Sequence, residues 1–434
     1  MDNSIQYIWQ DKDWPNFSYD ENANKDSLYQ YAMEAGRIAG GVGQLQESLQ
    51  YEAYVDHMVR EAIKTSEIEG EHLDREDVRS SIKNFLGISK PAVRVHDARA
   101  EGISALMVDL RESFREPLTT EKLCQWQSMA VANNNESYLY SKPVVSGKFR
   151  HSPEPMQIVS GPIGYEKVHY EAPPANRLNE EMSRFVQWFN NSSPINPENK
   201  EKMAGPVRAA IAHLWFECIH PFDDGNGRVG RAIAEKALAQ DLGQSPLISL
   251  STVIEKDRKG YYQELHDASR SGMDVSRWVN WFCQTTLNAQ QEAFKNVDFV
   301  LKKANFWRKH GDDDLKERQI KAINKLFMAG PNGFEHGINA KKYIALSGCS
   351  KATATRDLSE LVEKRCLSPL PGGGRNTRYA LNLDGHDYST QKVIVEDKAK
   401  EHAFTDTALK NKLMEKMAEK RQRNALEKGQ GRSR

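Results

Sequence analysis

One twelve-residue stretch constrains this chain more than any other. HPFDDGNGRVGR, from His220 to Arg231, concentrates a histidine, two aspartates, two arginines and three glycines. A packed core rejects such a mixture, because each unpaired charge taken out of water is costly. Gly225, Gly227 and Gly230 let the backbone turn and bring N–H groups toward an anion. The AIAEKALAQDL that follows is rich in helix formers, so the loop opens onto a helix N-terminus, where partial positive charge favours phosphate. Arg228 and Arg231 are three apart, share one face of the first turn, and carry guanidinium forks that suit phosphate oxygens. The residues therefore predict a polyphosphate site with a histidine at its entrance.

The 434 residues suggest about three domains. Sixty Lys+Arg against sixty Asp+Glu leave no net charge, so whole-chain electrostatics point neither to nucleic acid nor to membrane. No run reaches transmembrane length, and MDNSIQYIWQDKDW lacks a basic-then-apolar signal pattern, which leads to the expectation of a cytoplasmic protein without membrane partners. Cys124, Cys218, Cys283, Cys349 and Cys366 are odd in number and form no CxxC pair, arguing against a disulfide framework and a zinc ribbon.

Most of the chain has helical texture. The aromatic opening (Trp9, Trp14, Phe17, Tyr19) reads as an extended segment, followed by two helices between Asp26 and Lys64 with a break near Gly40 and Gly41. Gly70 terminates the second and Asp74 caps the next. Further helices are expected over 75–86, 96–114, 120–132 with Thr120 as cap, 178–189, 198–218, to 242, 257–268, and from 274. In 198–218, Met203, Val207, Ile211, Leu214 and Cys218 form one apolar face of an amphipathic helix, placing His220 just past its end. Two β-prone runs, 157–160 and 167–170, flank GPIGY as a hairpin. Beyond GDDD (311–314), three short helices at 315–328, 340–345 and 351–364 and a glycine turn between two β-prone ends form the pattern of a winged helix-turn-helix. A highly charged tail follows, with nine Lys/Arg against three Asp/Glu in its last 25 residues.

HPFDDGNGRVGR resembles the signature of Fic-domain proteins, H-x-F-x-D/E-G-N-G-R-x-x-R, at every specified position. TSEIEG, with Thr65, Glu69 and Gly70, resembles the family's inhibitory motif S/T-x-x-x-E-G/N, placed before the core as in the subgroup with an N-terminal inhibitory helix in the same chain. The resemblance implies a mainly α fold, a Fic-type helical bundle with a small β-hairpin flap, to which the C-terminal pattern adds a winged helix-turn-helix module. The expected division is 1–94 for the helical region carrying the inhibitory helix, 95–310 for the Fic domain, 311–384 for the winged module and 385–434 for the basic tail.

The activity so implied is protein adenylyltransfer: AMP moves from ATP to a Tyr, Thr or Ser hydroxyl of a target protein, or of the chain itself, and pyrophosphate leaves. By that resemblance His220 accepts the hydroxyl proton, a task suited to imidazole. Asp224 holds Mg²⁺, Asn226 and the amides around Gly225 and Gly227 cradle the α-phosphate, and Arg228 and Arg231 take the β- and γ-phosphates. Phe222 plugs the loop into the core, and GKFR (147–150) is given a structural role. Tyr261 and Tyr262 look like the tyrosines that border the adenine pocket in some relatives, though core packing suits them nearly as well. Glu69 pairs with Arg231 where the γ-phosphate must sit, or orients a hydrolytic water for AMP removal. The hairpin 157–170 aligns a target segment as an added strand.

Two rivals are set against this reading. His213, Glu217 and His220, at i, i+4 and i+7, offer three metal ligands on one helix face, as in a metallohydrolase, but leave GNGRVGR unexplained. The C-terminal module, with Lys351, Arg356, Lys364, Arg365, Arg375 and Arg378, suggests a DNA-binding regulator whose Fic core senses or removes AMP. Asp357, Glu360 and Glu363 dilute that charge, and DNA or a protein is left open as the module's partner. The oligomeric state also stays open, with a homodimer among the options.

Overall fold

A computed structural model describes residues 7–383 apart from 90, 133–144, 161–164, 166, 200–202, 329, 331–336 and 371–376. The described residues are mainly α-helical, with two short antiparallel hairpins among them. The basic tail at 385–434 and the glycine turn of the second hairpin lie outside the described residues.

Helices α1 (Lys25–Gly43) and α2 (Glu47–Ile68) are separated at Gln44–Gln46, not at the glycine pair expected to break them. Gly41 instead permits close packing: a Cβ there would lie 3.1 Å from Val297 Cγ1 on α11 (Ser276–His310). Next come α3 (Arg75–Phe85), α4 (Ala98–Ser113) and α5 (Thr120–Ala130). The Asp74 side chain caps α3 as the sequence suggests, while α5 is capped by Thr119, one residue earlier than expected. Strands β1 (Gln157–Ser160) and β2 (Lys167–Glu171) form the expected hairpin, with a register shift between Ile158 and Val159. The aromatic opening, expected to be extended, instead forms a 3-10 turn at Ile8–Gln10 followed by further turns, and it is pinned by Trp14 Nε1 donating to Glu181 at 2.9 Å and Trp9 Nε1 to the Glu171 carbonyl at 2.7 Å.

After α6 (Leu178–Asn191), α7 (Gly205–Ile219) and α8 (Asn226–Leu242) form the centre of the body. The helix expected from residue 198 begins only at Gly205, with Pro206 in its first turn, where a missing N–H costs nothing. It is also not amphipathic in place: every residue of α7 is buried, because α6, α8 and α11 pack around it. Arg208, fully buried on it, donates to the Phe189 carbonyl at 2.6 Å and to Ser192 Oγ at 3.0 Å. Helices α9 (Leu250–Lys256), which the sequence pattern did not reveal, and α10 (Arg258–Ala268) lead into α11.

Helix α2 is built into this body. Val55, Met58, Val59, Ala62 and Ile68 are buried, and Glu61 accepts from Ser249 Oγ at 2.6 Å, from Ser251 N–H at 3.2 Å, and from the Ser251 hydroxyl. Helices α12 (Glu317–Met328), α13 (Ala340–Ser347) and α14 (Lys351–Glu363), with β3 (Leu367–Pro369) and β4 (Tyr379–Leu381), share a second core centred on Ile323, Tyr343, Leu361 and Cys366. None of the described helices is long and apolar enough to cross a membrane.

Candidate active site

His220 ends α7 in the left-handed region, at φ 49°. The following Pro221 disfavours continuation of the right-handed helix, and a non-glycine residue held there carries roughly 1–2 kcal/mol of strain. Arg150 holds the turn: its Nε donates to the His220 carbonyl at 2.8 Å and its backbone N–H to the Pro221 carbonyl at 2.9 Å. Thus GKFR supplies a clamp for the loop. Phe222 is fully buried against Phe149 and Phe216, as its plug role requires.

Gly225, at φ 85°, is the N-cap of α8, so the amides of Asn226, Gly227 and Arg228 open the helix. Asn226 is placed differently from the expectation that it faces phosphate. Its Oδ1 accepts from the Phe222 N–H at 3.0 Å and its Nδ2 donates to the Phe222 carbonyl at 2.8 Å, so the amide braces the loop. Asp224 lies at the mouth, where its Oδ1 accepts from the Gly225 N–H at 2.7 Å and its Oδ2 is 3.5 Å from Arg228 Nη2.

The far-off segment TSEIEGE reaches this loop. Helix α2 closes with a six-to-one bond from Glu71 N–H to the Ser66 carbonyl and an inner bond from Gly70 N–H to the Glu67 carbonyl, both 3.0 Å, while Gly70 takes φ 83°. That glycine-centred cap turns two carboxylates, Glu69 and Glu71, onto the first turn of α8. Glu69 Oε1 accepts from Arg231 Nη2 at 2.7 Å, and a Cβ added at Gly227 would sit 2.4 Å from the same oxygen. Thr65 completes the grip, its Oγ1 accepting from Arg231 Nε at 2.7 Å and its carbonyl from Nη2 at 3.0 Å. Burial opposes the charge on Arg231, yet Glu69 outweighs it and holds the guanidinium above its usual range.

Glu71 was not singled out by the sequence, yet it accepts from Arg228 Nη1 at 3.0 Å. Both arginines of the loop are therefore occupied by acids from one turn. The available signal was the spacing: Glu71 follows the terminating glycine, where the cap directs it back toward the helix end.

A groove of about 800 Å³ opens between the first hairpin, the end of α7 and α10, lined by Ile158, Val159, Glu217, Arg258, Tyr262 and His266 among others. The His220 side chain is 13% exposed, and its Nδ1 lies 3.3 Å from the Glu217 carbonyl. Burial, then Arg150, lowers the imidazole to about 4, so it is neutral at pH 7. Glu217, read from sequence only as a metal ligand, is buried beneath it with Oε2 3.9 Å from Nδ1; burial pushes its carboxyl up to about 8. His213 turns away to Tyr261, Nε2 to Oη 2.9 Å, and stacks on Trp278, so the three residues of the rival metal reading do not converge. Among the described residues the group that brings three such ligand atoms together is His310, Asp313 and Cys366, outside this site.

The tyrosine pair is split. Tyr261 is a core residue packed against Trp278 and Trp281, whereas Tyr262 is partly exposed, lines the groove and directs its hydroxyl to the Ile68 carbonyl at 3.4 Å. Aromatic packing, which the sequence could not separate from ligand contact, claims Tyr261.

Residues 117–238, which contain the whole loop, match the model of the Fic/DOC family. The chain carries a Fic domain. Residues 7–88, which include TSEIEGE, match a domain of unknown function (DUF4172). Among curated proteins the chain is 26% identical over 242 residues to protein adenylyltransferase Fic of Culex quinquefasciatus, covering 54% of this chain and 40% of that protein. It is 25% identical over 233 residues to protein adenylyltransferase fic-1 of Caenorhabditis elegans, covering 51% and 39%. This chain thus spans about two-fifths of the length of these relatives. Among solved structures, a Fic family protein from Desulfovibrio desulfuricans aligns over 86% of this chain and 99% of its own, with 19% identity and a TM-score of 0.46. A fragment of Fic-1 from C. elegans aligns over 65% and 74%, with 17% identity and the same score.

Proposed function

We propose that this chain transfers AMP from ATP to a hydroxyl of a protein, itself included, and that Glu69 restrains the reaction. The observation that carries the reading is the meeting of His220, the α8 N-terminus and a carboxylate seated on Arg231 and over Gly227. A carboxylate held at a helix N-terminus by an arginine fork occupies the kind of place a phosphate takes.

In the transfer, the target oxygen attacks the α-phosphorus, an O–P bond forms, the bond to pyrophosphate breaks, and the hydroxyl proton passes to His220. Neutral His220 is in the state this requires, and a proton on Nδ1, donated to the Glu217 carbonyl 3.3 Å away, leaves Nε2 open to accept. Arg228 and Arg231, once released by Glu71 and Glu69, would take the β- and γ-phosphates and orient the α-phosphorus. The α8 amides would stabilise charge on the α-phosphate, with Asn226 keeping the loop in shape.

Asp224 would hold Mg²⁺. A single carboxylate at the loop mouth, with ATP phosphates completing the donor set, suits that ion. When bound, it would neutralise phosphate charge. Ile158 and Val159, exposed on β1 beside the groove, offer an edge against which a target segment could pair as an added strand.

The test is incubation of wild type, Glu69→Gly and His220→Ala with each α-labelled nucleoside triphosphate in Mg²⁺, followed by mass determination of the product. The reading requires an AMP adduct from ATP that His220→Ala abolishes. Absence of His220-dependent transfer from every donor overturns it.

A further inference from the structure

The acids that made α14 ambiguous in the sequence are largely turned inward. Asp357 is fully buried, where Arg318 of α12 binds it through Nε and Nη2, the latter at 3.0 Å, and the Tyr343 hydroxyl donates to it at 3.1 Å. The Arg318 bonds keep the carboxyl below its usual range, so it stays charged and neutralised at once. Glu360 takes Lys316 Nζ at 2.5 Å and Gln319 Nε2 at 3.0 Å, and Arg356 approaches it only to 4.0 Å.

What remains outside is a different surface. Lys351, Thr355 and Ser359 recur at i, i+4 and i+8, with Ala352 and Arg356 beside them, and all five are exposed. This face therefore carries two cations, two hydroxyls and a small methyl, with exposed Glu363 only at the far end. Helices α13 and α14 are joined by Gly348, Cys349 and Ser350, with Gly348 at φ 67°, while Ser350 caps α14 by accepting from the Thr353 N–H. A three-residue turn containing glycine is the connection used by helix-turn-helix pairs. Lys341 on α13 and Arg378 beside β4 are also exposed.

We propose that α12, α13 and α14 with strands β3 and β4 act as a winged helix whose α14 enters the major groove of duplex DNA. Arg356, Thr355 and Ser359 face the base edges, and Lys351, Lys341 and Arg378 contact phosphate. Charge complementarity selects this partner: the pairing of Asp357 and Glu360 with α12 leaves the outward face basic, while its hydroxyls and guanidinium suit base-edge and phosphate acceptors. This inference is independent of adenylyl transfer.

The experiment is fluorescence anisotropy of the full chain with a labelled mixed-sequence duplex across a salt series. Binding should weaken linearly in log affinity against log salt. Lys351→Ala with Arg356→Ala should reduce the slope by about one, through the lost Lys351 phosphate contact, and weaken binding at least ~10-fold at moderate salt. Removing two cations elsewhere, Arg277→Ala with Lys295→Ala on α11, should leave it unchanged. All four side chains are substantially exposed, and matching thermal melts will establish that the variants fold. No salt-dependent binding, or equal losses in the two double variants, overturns the proposal. So does a result in which the α14 variant leaves DNA binding intact but abolishes self-association or binding of a polypeptide.

Discussion

Replacing Glu69 by glycine separates an inhibitory carboxylate from a merely structural one. The bond from Arg231 Nη2 to Glu69 Oε1 is 2.7 Å and charge-assisted, a class worth about 1.5–3 kcal/mol net. Glu69 is 28% exposed, so solvent screening favours the lower part of that range, about 1.5–2 kcal/mol. A γ-phosphate that must displace this carboxylate forfeits the same free energy. At 1.4 kcal/mol per decade, the proposed restraint would weaken productive ATP binding about 10–30-fold. Glu69→Gly should therefore raise the initial rate of self-adenylylation about 10–30-fold at low ATP, with the gain in kcat/KM. Arg231 keeps both bonds to Thr65, so the melting temperature should fall by only about 2–4 °C. The control is Glu67→Gly on the same turn, which loses a bond to Lys64 Nζ of 2.5 Å but none to the loop. An equal rise in that control, or none in Glu69→Gly, refutes the reasoning.

Three further outcomes follow from the geometry. Glu71→Ala frees Arg228 from its 3.0 Å partner while the 3.5 Å approach to Asp224 persists, and should raise self-labelling about 2–5-fold alone and further when combined with Glu69→Gly; unchanged rates would remove Glu71 from the restraint. Gly227→Ala places a Cβ where Glu69 Oε1 now lies and where phosphate must approach, so it should displace the carboxylate yet lower ATP affinity, measured by calorimetry on the Glu69→Gly background, where no change would refute the close approach. Stability should fall as pH rises from about 6.5 to 8: buried Glu217 and Glu235, pushed up to about 8, retain protons that the unfolded chain has released, whereas His57, His213 and His220, lowered to about 4, 3 and 4, cost stability only below about 6.5. Scanning calorimetry checks this, and Glu217→Gln with Glu235→Gln should flatten the decline.

The glycine-rich loop was legible because three glycines, two arginines and a histidine in twelve positions suit an anion site better than a packing role, although the structure buries Asn226, Arg228 and Arg231. Hairpin β1–β2 was legible for a related reason, since local turn chemistry and β-branched residues agreed. Two kinds of information were not local. The periodicity of α7 indicated one apolar face, but its burial on all sides depends on α6, α8 and α11 arriving from elsewhere in the chain. Likewise nothing in YY distinguishes Tyr261, packed on two tryptophans, from Tyr262, facing the groove. Glu71 shows the middle case: its position after Gly70 is in the sequence, but its partner lies 157 residues away.

The way α2 is held limits how Glu69 can be released. Withdrawing the whole helix would expose Val55, Met58, Val59, Ala62 and Ile68, at about 1.5–3 kcal/mol for each large side chain, and would strip Glu61 of its serine partners. Such a motion is too costly to compete with a binding nucleotide. The last turn is different: Gly70 has open space around it, and the bonds from Gly70 and Glu71 N–H to α2 carbonyls stand beside exposed residues. Unwinding this cap would swing Glu69 and Glu71 away together while leaving the helix body docked, freeing both arginines in one step. Substituting alanine for Gly70 at φ 83° strains that cap as it stands. Gly70→Ala should therefore mimic partial release, with self-labelling rising without loss of α2 from the body. Hydrogen exchange can distinguish the two motions: faster exchange confined to residues 69–71 supports cap unwinding, whereas faster exchange throughout α2 would mean that the helix moves as a unit.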